Sequence, residues 1–471
     1  MKQVGLTIFG LVVFVTGLAV LYTSFRGAIY WMAVYSLFGC TLALGLPGGI
    51  GILPAQLFLL FFVVRAFNLA GGKQIANAFA IDKPGFWLLC TSLWGVFGAI
   101  VLPRLLRGST LVFPVDRTMS GAVMLQRLGP VSGNLSQATY CLGDVVLYGC
   151  MYALLKYRGA YRALATGIFL LAFLDVLAGV IDVGTHAVGL DVMSVIKTAQ
   201  YADLSGEVMG GLIRISGTFS EASAFASFTL PLFAFCLNLW LVGYRRKVAG
   251  ALAFGTGMLL LLSTSGTAYA GLGTYLLVQL FSRPGRIARS AVARKQRLWI
   301  LCACAGVLAA LYAVLFLPGV VKVLGDFVNL AVLGKAASDS GVERMSWNAQ
   351  GVKNFFDTYG IGVGLGSIRS SSFLVVVLAN LGVVGVVCYG LFVGKSLLAP
   401  LPAQYPPTER AVSYAARHGM IATLIAASLA AGVFELGSCF YLFAAAAGAL
   451  PLSASRRVPE RQGWLAQQVH E

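Results

Sequence analysis

ASAFASFTLPLFAFCLNLWLVGYRRK, Ala222 to Lys247, carries no charged side chain between Glu221 and Arg245 and then closes on Arg245, Arg246 and Lys247. A helix needs roughly 20 apolar residues to cross a bilayer. A basic cluster at the end of such a run sets its orientation, because positively charged loops stay on the cytoplasmic side. The stretch reads as a membrane span over residues 222–243, with YRRK facing the cytoplasm.

The same pattern repeats along the chain. Of 471 residues, 58% are hydrophobic and only 11% charged, and the mean hydropathy is +0.84, far from the balance of a soluble domain. Spans are expected near residues 4–22, 28–46, 48–66, 86–103, 133–155, 160–180, 222–243, 248–264, 266–281, 298–317, 373–394, 418–434 and 437–452. The expected fold is an all-α polytopic membrane bundle of about 12–14 transmembrane helices, one integral membrane domain over residues 1–471. The run Gly5–Tyr22 follows a single Lys2 and lacks the basic start and small-residue cleavage site of a signal peptide, so it reads as the first span.

The formal charge of +17 is distributed as topology, with YRRK at 244–247 and RPGRIARSAVARKQR at 283–297 capping spans. No nucleic-acid partner is expected. Nine cysteines fall in or beside apolar runs without metal-site or disulfide spacing, the nearest being Cys302 and Cys304, so no metal is expected. With the basic clusters inside, the turn 264–266 and the long loop 318–372 face outward, and 395–417 and the C-terminal tail face inward. Residues 104–132 break the pattern: Arg104, Arg107, Arg117 and Arg127 stand against only Asp116, yet the count of spans puts them outside. Either the count slips by one, or these arginines serve an anion there.

Two hydrophilic interruptions, residues 182–214 and 318–372, are the natural places for chemistry. In RISGTFSEASAFA, Arg214 to Ala226, Thr218 and Glu221 fit a T-x-x-E capping box. That leaves Arg214 unexplained, and a guanidinium beside a helix N-terminus forms an anion site suited to phosphate. LSTSGTAY, Leu262 to Tyr269, clusters hydroxyls around Gly266 in a tight turn on the same side. In ERMSWNAQGVKNFFDTYGIGVGLGSIRSSS, Glu343 to Ser372, glycines 360, 362, 364 and 366 precede Arg369, an arrangement in which backbone amides turn inward to cradle an anion. The Walker spacing is absent.

RISGTFSEASAFA, STSGTAYAGL and RMSWNAQGVKNFFDTYGIGVGLGSIRSSS, in this order over about residues 133–450, resemble the O-antigen ligase and Wzy-type polysaccharide polymerase superfamily of bacterial inner membranes. The resemblance implies transfer of a glycan from an undecaprenyl-diphosphate carrier to an acceptor sugar hydroxyl on the periplasmic side, with no cofactor, nucleotide or metal. Members use outer arginines to bind the diphosphate, a role that falls here on Arg214 and on Arg344 or Arg369. Two positions depart from the ligase branch: Gly266 stands where an arginine is typical, and Ser370–Ser372 where a histidine is, none of His186, His418 and His470 being in that place. The GVGLGSIRSSS form is closer to exopolysaccharide polymerases.

On this reading Glu221, with Glu343 next, is the candidate base, Arg214 acts with them, and Arg344, Arg369, Trp347, Tyr269 and Ser220 bind substrate, the aromatics by stacking on sugar. Partners are the lipid-linked oligosaccharide, membrane lipids, a flippase and a chain-length regulator. Ligation to a lipid or protein acceptor and transport stay as alternatives. A transporter is expected to show paired halves, broken helices near the midplane and ionisable groups within spans, of which Asp144, Asp175 and Glu435 are the main instances here.

Overall fold

A computed structural model describes residues 5–45, 51–115, 124–199, 208–209, 212–316 and 339–449. Lys2, Asp116, Arg117, residues 317–338 of the long loop and the tail with His470 lie outside them. Among the described residues the chain is all-α, with fourteen α-helices and strands of two residues only. Each of the thirteen expected spans overlaps a helix, although the one expected at 28–46 is helical only as far as Tyr35: α1 (Ile8–Tyr22), α2 (Phe25–Tyr35), α3 (Pro54–Ala76), α4 (Pro84–Leu105), α5 (Ser132–Leu154), α6 (Ala160–Ala187), α7 (Ala222–Val242), α8 (Arg246–Leu262), α9 (Gly266–Phe281), α10 (Ser290–Phe316), α12 (Phe373–Leu398), α13 (Pro407–Ala430) and α14 (Ser438–Gly448). The fourteenth, α11 (Asp339–Asp357), lies in the long loop. Five helices, beginning at Pro54, Pro84, Ala160, Ala222 and Phe373, are long and apolar enough to cross a membrane by length and composition.

Several boundaries move for local reasons. α3 starts at Pro54 rather than near 48, since proline suits a first helical position and Gln56 Oε1 takes the Leu53 amide at 3.1 Å. α13 starts at Pro407 rather than near 418, because its arginines are carried by neighbouring carbonyls: Arg410 donates to Arg286 O at 2.7 Å and Arg417 to Ala399 O at 2.5 Å. Hydropathy sees only the charge.

Membrane helices gain little from hydrophobic association and hold together by close packing of small residues. α14 is the clearest case. All eleven of its residues except Ser438 are buried, and Ala444–Ala447 are fully so. It packs between α5 and α13, where Gly419 leaves room for the Phe443 ring.

One end of the bundle gathers the basic clusters. Arg294 Nε donates to Leu241 O at 2.6 Å, Lys295 to Leu280 O at 2.9 Å, and Lys395 lies over the Trp87 ring at 5.7 Å. Cations thus cap the carbonyl ends of α7 and α9, the polarity that the helix dipole favours. At the other end, the short strands Leu111–Val112 and Gln126–Arg127 pair antiparallel, and Asn354 of α11 donates to Thr110 Oγ1 at 2.9 Å and Leu111 O at 2.6 Å. The described part of segment 104–132 therefore shares an end with α11.

α12 is two helices. Gly382 (φ 62°, ψ −161°) interrupts it, and the rings of Phe373 and Tyr389 lie 5.5 Å apart. Sixteen residues of straight helix would separate them by about 24 Å, so the chain reverses at Gly382. The turn is clamped by Val383 N to Gly360 O at 2.9 Å, Val363 N to Ala379 O at 2.8 Å and Gly364 N to Asn380 O at 3.0 Å. A Cβ on Gly382 would stand 2.3 Å from Gly360 O, and the positive φ excludes other residues as well.

Candidate functional site

The half-helix Phe373–Leu381 presents its N-terminus to Ser370–Ser372 and Arg369. Arg369 is fixed by its backbone, with N donating to Phe113 O at 2.8 Å, and by Trp347, whose ring lies 4.5 Å below the guanidinium. Asn348 Oδ1 accepts from Ser370 Oγ at 2.5 Å and from Ser371 N at 2.9 Å, while Ser370 N donates to Gly432 O at 3.2 Å. Loop 111–113, helix α11, loop 361–372 and linker 431–437 thus meet at one place.

Sequence-predicted residues converge on it. Burial pushes the Arg369 pKa below its ordinary value; the carboxylates of Glu343 and Glu221 act to raise it and the Arg344 charge to lower it. Arg369 therefore lies within electrostatic range of Glu343, Glu221 and Arg344 and in direct contact with Trp347. Glu343 is exposed and Arg344, Trp347, Glu221 and Arg369 are half-buried. Arg369 Nε and Trp347 Nε1 are buried and have no hydrogen-bond partner among the described residues. Two buried donors without partners, a fixed charge and a helix N-terminus thus lie near one another, groups of the kind that bind a phosphate.

The capping box is not formed. α7 begins at Ala222, Glu221 is itself the N-cap residue (φ −152°, ψ 157°) and bonds Ser223 Oγ, and Thr218 donates instead to Leu37 O at 2.8 Å. The reason lies in Asp182, a residue that the sequence reading left in an interruption. α6 runs on to Ala187, and the buried Asp182 Oδ2 takes the amides of Ser216 and Gly217 at 2.8 and 2.9 Å, with His186 Nδ1 3.2 Å from Oδ1. Loop 214–221 is held by that carboxylate, so the helix starts three residues later than the box requires. Arg214 and Ser220 lie half-buried on this loop with Glu221. Tyr269 stands in the first turn of α9, its hydroxyl donating to Leu261 O at 3.0 Å within its own hairpin.

Phe434 stacks on Phe373 at 5.9 Å, and in the same linker Glu435 accepts from Gly437 N at 2.9 Å and faces the Asp144 carboxyl, with Tyr441 beside them. The third in-span acid, Asp175, accepts from Thr229 Oγ1 at 2.9 Å. Asn348, Asp182 and the 431–437 linker carried no motif; Asn348 five residues after Glu343 and Gly432 in an apolar run signal nothing by themselves. Among the described residues no group of three His, Cys, Asp or Glu side chains is placed to hold a metal ion. No family model matches this chain, and no curated protein matches it significantly.

Proposed function

We propose that the protein is a bacterial inner-membrane polysaccharide polymerase that transfers glycan repeat units from an undecaprenyl-diphosphate carrier to an acceptor sugar hydroxyl, of the exopolysaccharide kind. The observation that carries this reading is Arg369, stacked on Trp347 and within electrostatic range of Arg344, Glu343 and Glu221, at the end of the bundle opposite the basic clusters, which supports a periplasm-facing site. The acceptor oxygen attacks the anomeric carbon, the bond to the diphosphate breaks, and its electron pair passes to the leaving oxygen. Arg369 and Arg344, with Arg214, hold the growing negative charge, and positioning supplies much of the remainder. The hydroxyl proton goes to a carboxylate, Glu221 first and Glu343 next. Trp347 braces the Arg369 guanidinium.

Purified protein in nanodiscs, given lipid-linked repeat units, is expected to produce longer glycans and free carrier diphosphate. Unlengthened donor at all times would reject the polymerase. The second reading is transport, and one observation favours it. α14, about 16 Å long, starts at Ser438 and ends at Gly448 against Pro84 at the basic end, so non-helical linker 431–437 reaches the middle of a bilayer of roughly 30 Å. Broken helices at that depth are a transporter feature. Passage of intact donor across sealed proteoliposomes without lengthening would select it.

A further inference from the structure

At the basic end, between α9, α12 and α13, lies a cavity of about 610 Å³ lined by Arg283, Arg286 and Arg417, by Tyr414 and His418, and otherwise mostly by apolar side chains such as Leu398. Among the described residues no acidic side chain lines it. A second cavity of about 390 Å³ shares Leu397 and Ile421 with the first and continues along α13 past Leu424 and Ile425 to Leu429. From Tyr414 to Leu429 the wall runs about 22 Å, against roughly 15 Å for one leaflet, half of a 30 Å hydrocarbon core. The floor is cationic and the wall apolar.

The cations are held in place from behind. Arg417 donates to Ala399 O at 2.5 Å, while its Nε and the Tyr414 hydroxyl are buried with no partner among the described residues. The turn Pro284–Arg286 is pinned by Arg410 on Arg286 O at 2.7 Å and, at the preceding Ser282 O, by Lys295 at 2.7 Å. A soluble anion would use the floor and leave the wall unfilled. A zwitterionic headgroup would bring an ammonium to three guanidiniums with no carboxylate to receive it. Basic pockets between helices on the cytoplasmic side suit anionic headgroups.

We propose that this groove binds one anionic diacyl phospholipid, its phosphate on Arg417, Arg283 and Arg286 and an acyl chain along Ile421–Leu429. The test is titration of delipidated full-length protein with dioleoyl phosphatidylglycerol or dioleoyl phosphatidylethanolamine, with bound lipid counted by native mass spectrometry. One phosphatidylglycerol per chain should bind at least about tenfold tighter than phosphatidylethanolamine. The exposed pair Arg283→Gln/Arg286→Gln should weaken it about 30-fold, and Ile425→Trp, which fills the wall without touching a charge, should weaken both lipids. Equal affinity for the two lipids overturns the proposal. So does full competition by glycerol phosphate, displacement by equimolar undecaprenyl phosphate, or an unchanged Ile425→Trp variant.

Discussion

Replacing Arg369 by lysine keeps the charge and removes the planar fork. The guanidinium stacks on Trp347 at 4.5 Å, an interaction worth about 0.5–2 kcal/mol, and a hydrogen bond from a charged donor to phosphate adds about 1.5–3 kcal/mol. Together these come to about 2–5 kcal/mol, or roughly 30-fold to several thousand-fold at about 1.4 kcal/mol per decade. Lysine still supplies a point charge but neither stacks flat nor bonds twice, so Arg369→Lys should lose about 30-fold in glycan lengthening and Arg369→Ala about 1,000-fold. Trp347→Leu removes the indole donor together with the stack, whose loss should by itself cost about 2- to 30-fold. The assay is the nanodisc reaction with lipid-linked repeat units, each variant first checked for an unchanged unfolding temperature. Arg369→Ala within threefold of the parent would remove the arginine from the chemistry.

Glu221→Gln keeps an acceptor for Ser223 Oγ and should slow transfer by roughly 100- to 10,000-fold if the carboxylate takes the proton; full activity would leave it a structural role. Asn348→Ala strands the Ser371 amide and frees the Ser370 hydroxyl, at a cost of about 1–3 kcal/mol to the loop, read as faster amide exchange over residues 369–372. Gly382→Ala forces a side chain against Gly360 O at positive φ, about 1–3 kcal/mol of backbone strain alone, and should lower the unfolding temperature and activity together. An unchanged unfolding temperature would show that the reversal at Gly382 is not required.

Thirteen helices were legible because hydropathy reports directly on what a bilayer accepts, and the capping of α7 and α9 by cations followed from the same rule. Direction was not legible. The run from Phe373 to Leu398 is apolar but for Asn380, Lys395 and Ser396, and its reversal depends on amides and carbonyls that Gly360, Val363 and Gly364 supply from outside it. The site was half legible: Arg369, Trp347 and Glu221 stood out by type and place. Asn348 and Asp182, which fix the loops carrying them, act through single oxygens that accept two amides or hydroxyls, a property of geometry that no spacing announces. The T-x-x-E match at Thr218 misled because Asp182 had already claimed the adjoining amides.

The turn at Gly382 also alters the membrane around it. Past the turn, Val383–Leu398 offers only about 24 Å of helix against a typical hydrocarbon thickness of roughly 30 Å, and Val383, Val384 and Val387 face outward with half their surface exposed. A short apolar segment at the protein's lipid boundary draws the headgroup layer down to meet it. Under the proposed function, a lipid-linked donor diffusing along this flank would find the surface dipping toward the serine-rich loop, so that its phosphates sink to the arginines while its long tail stays among lipids.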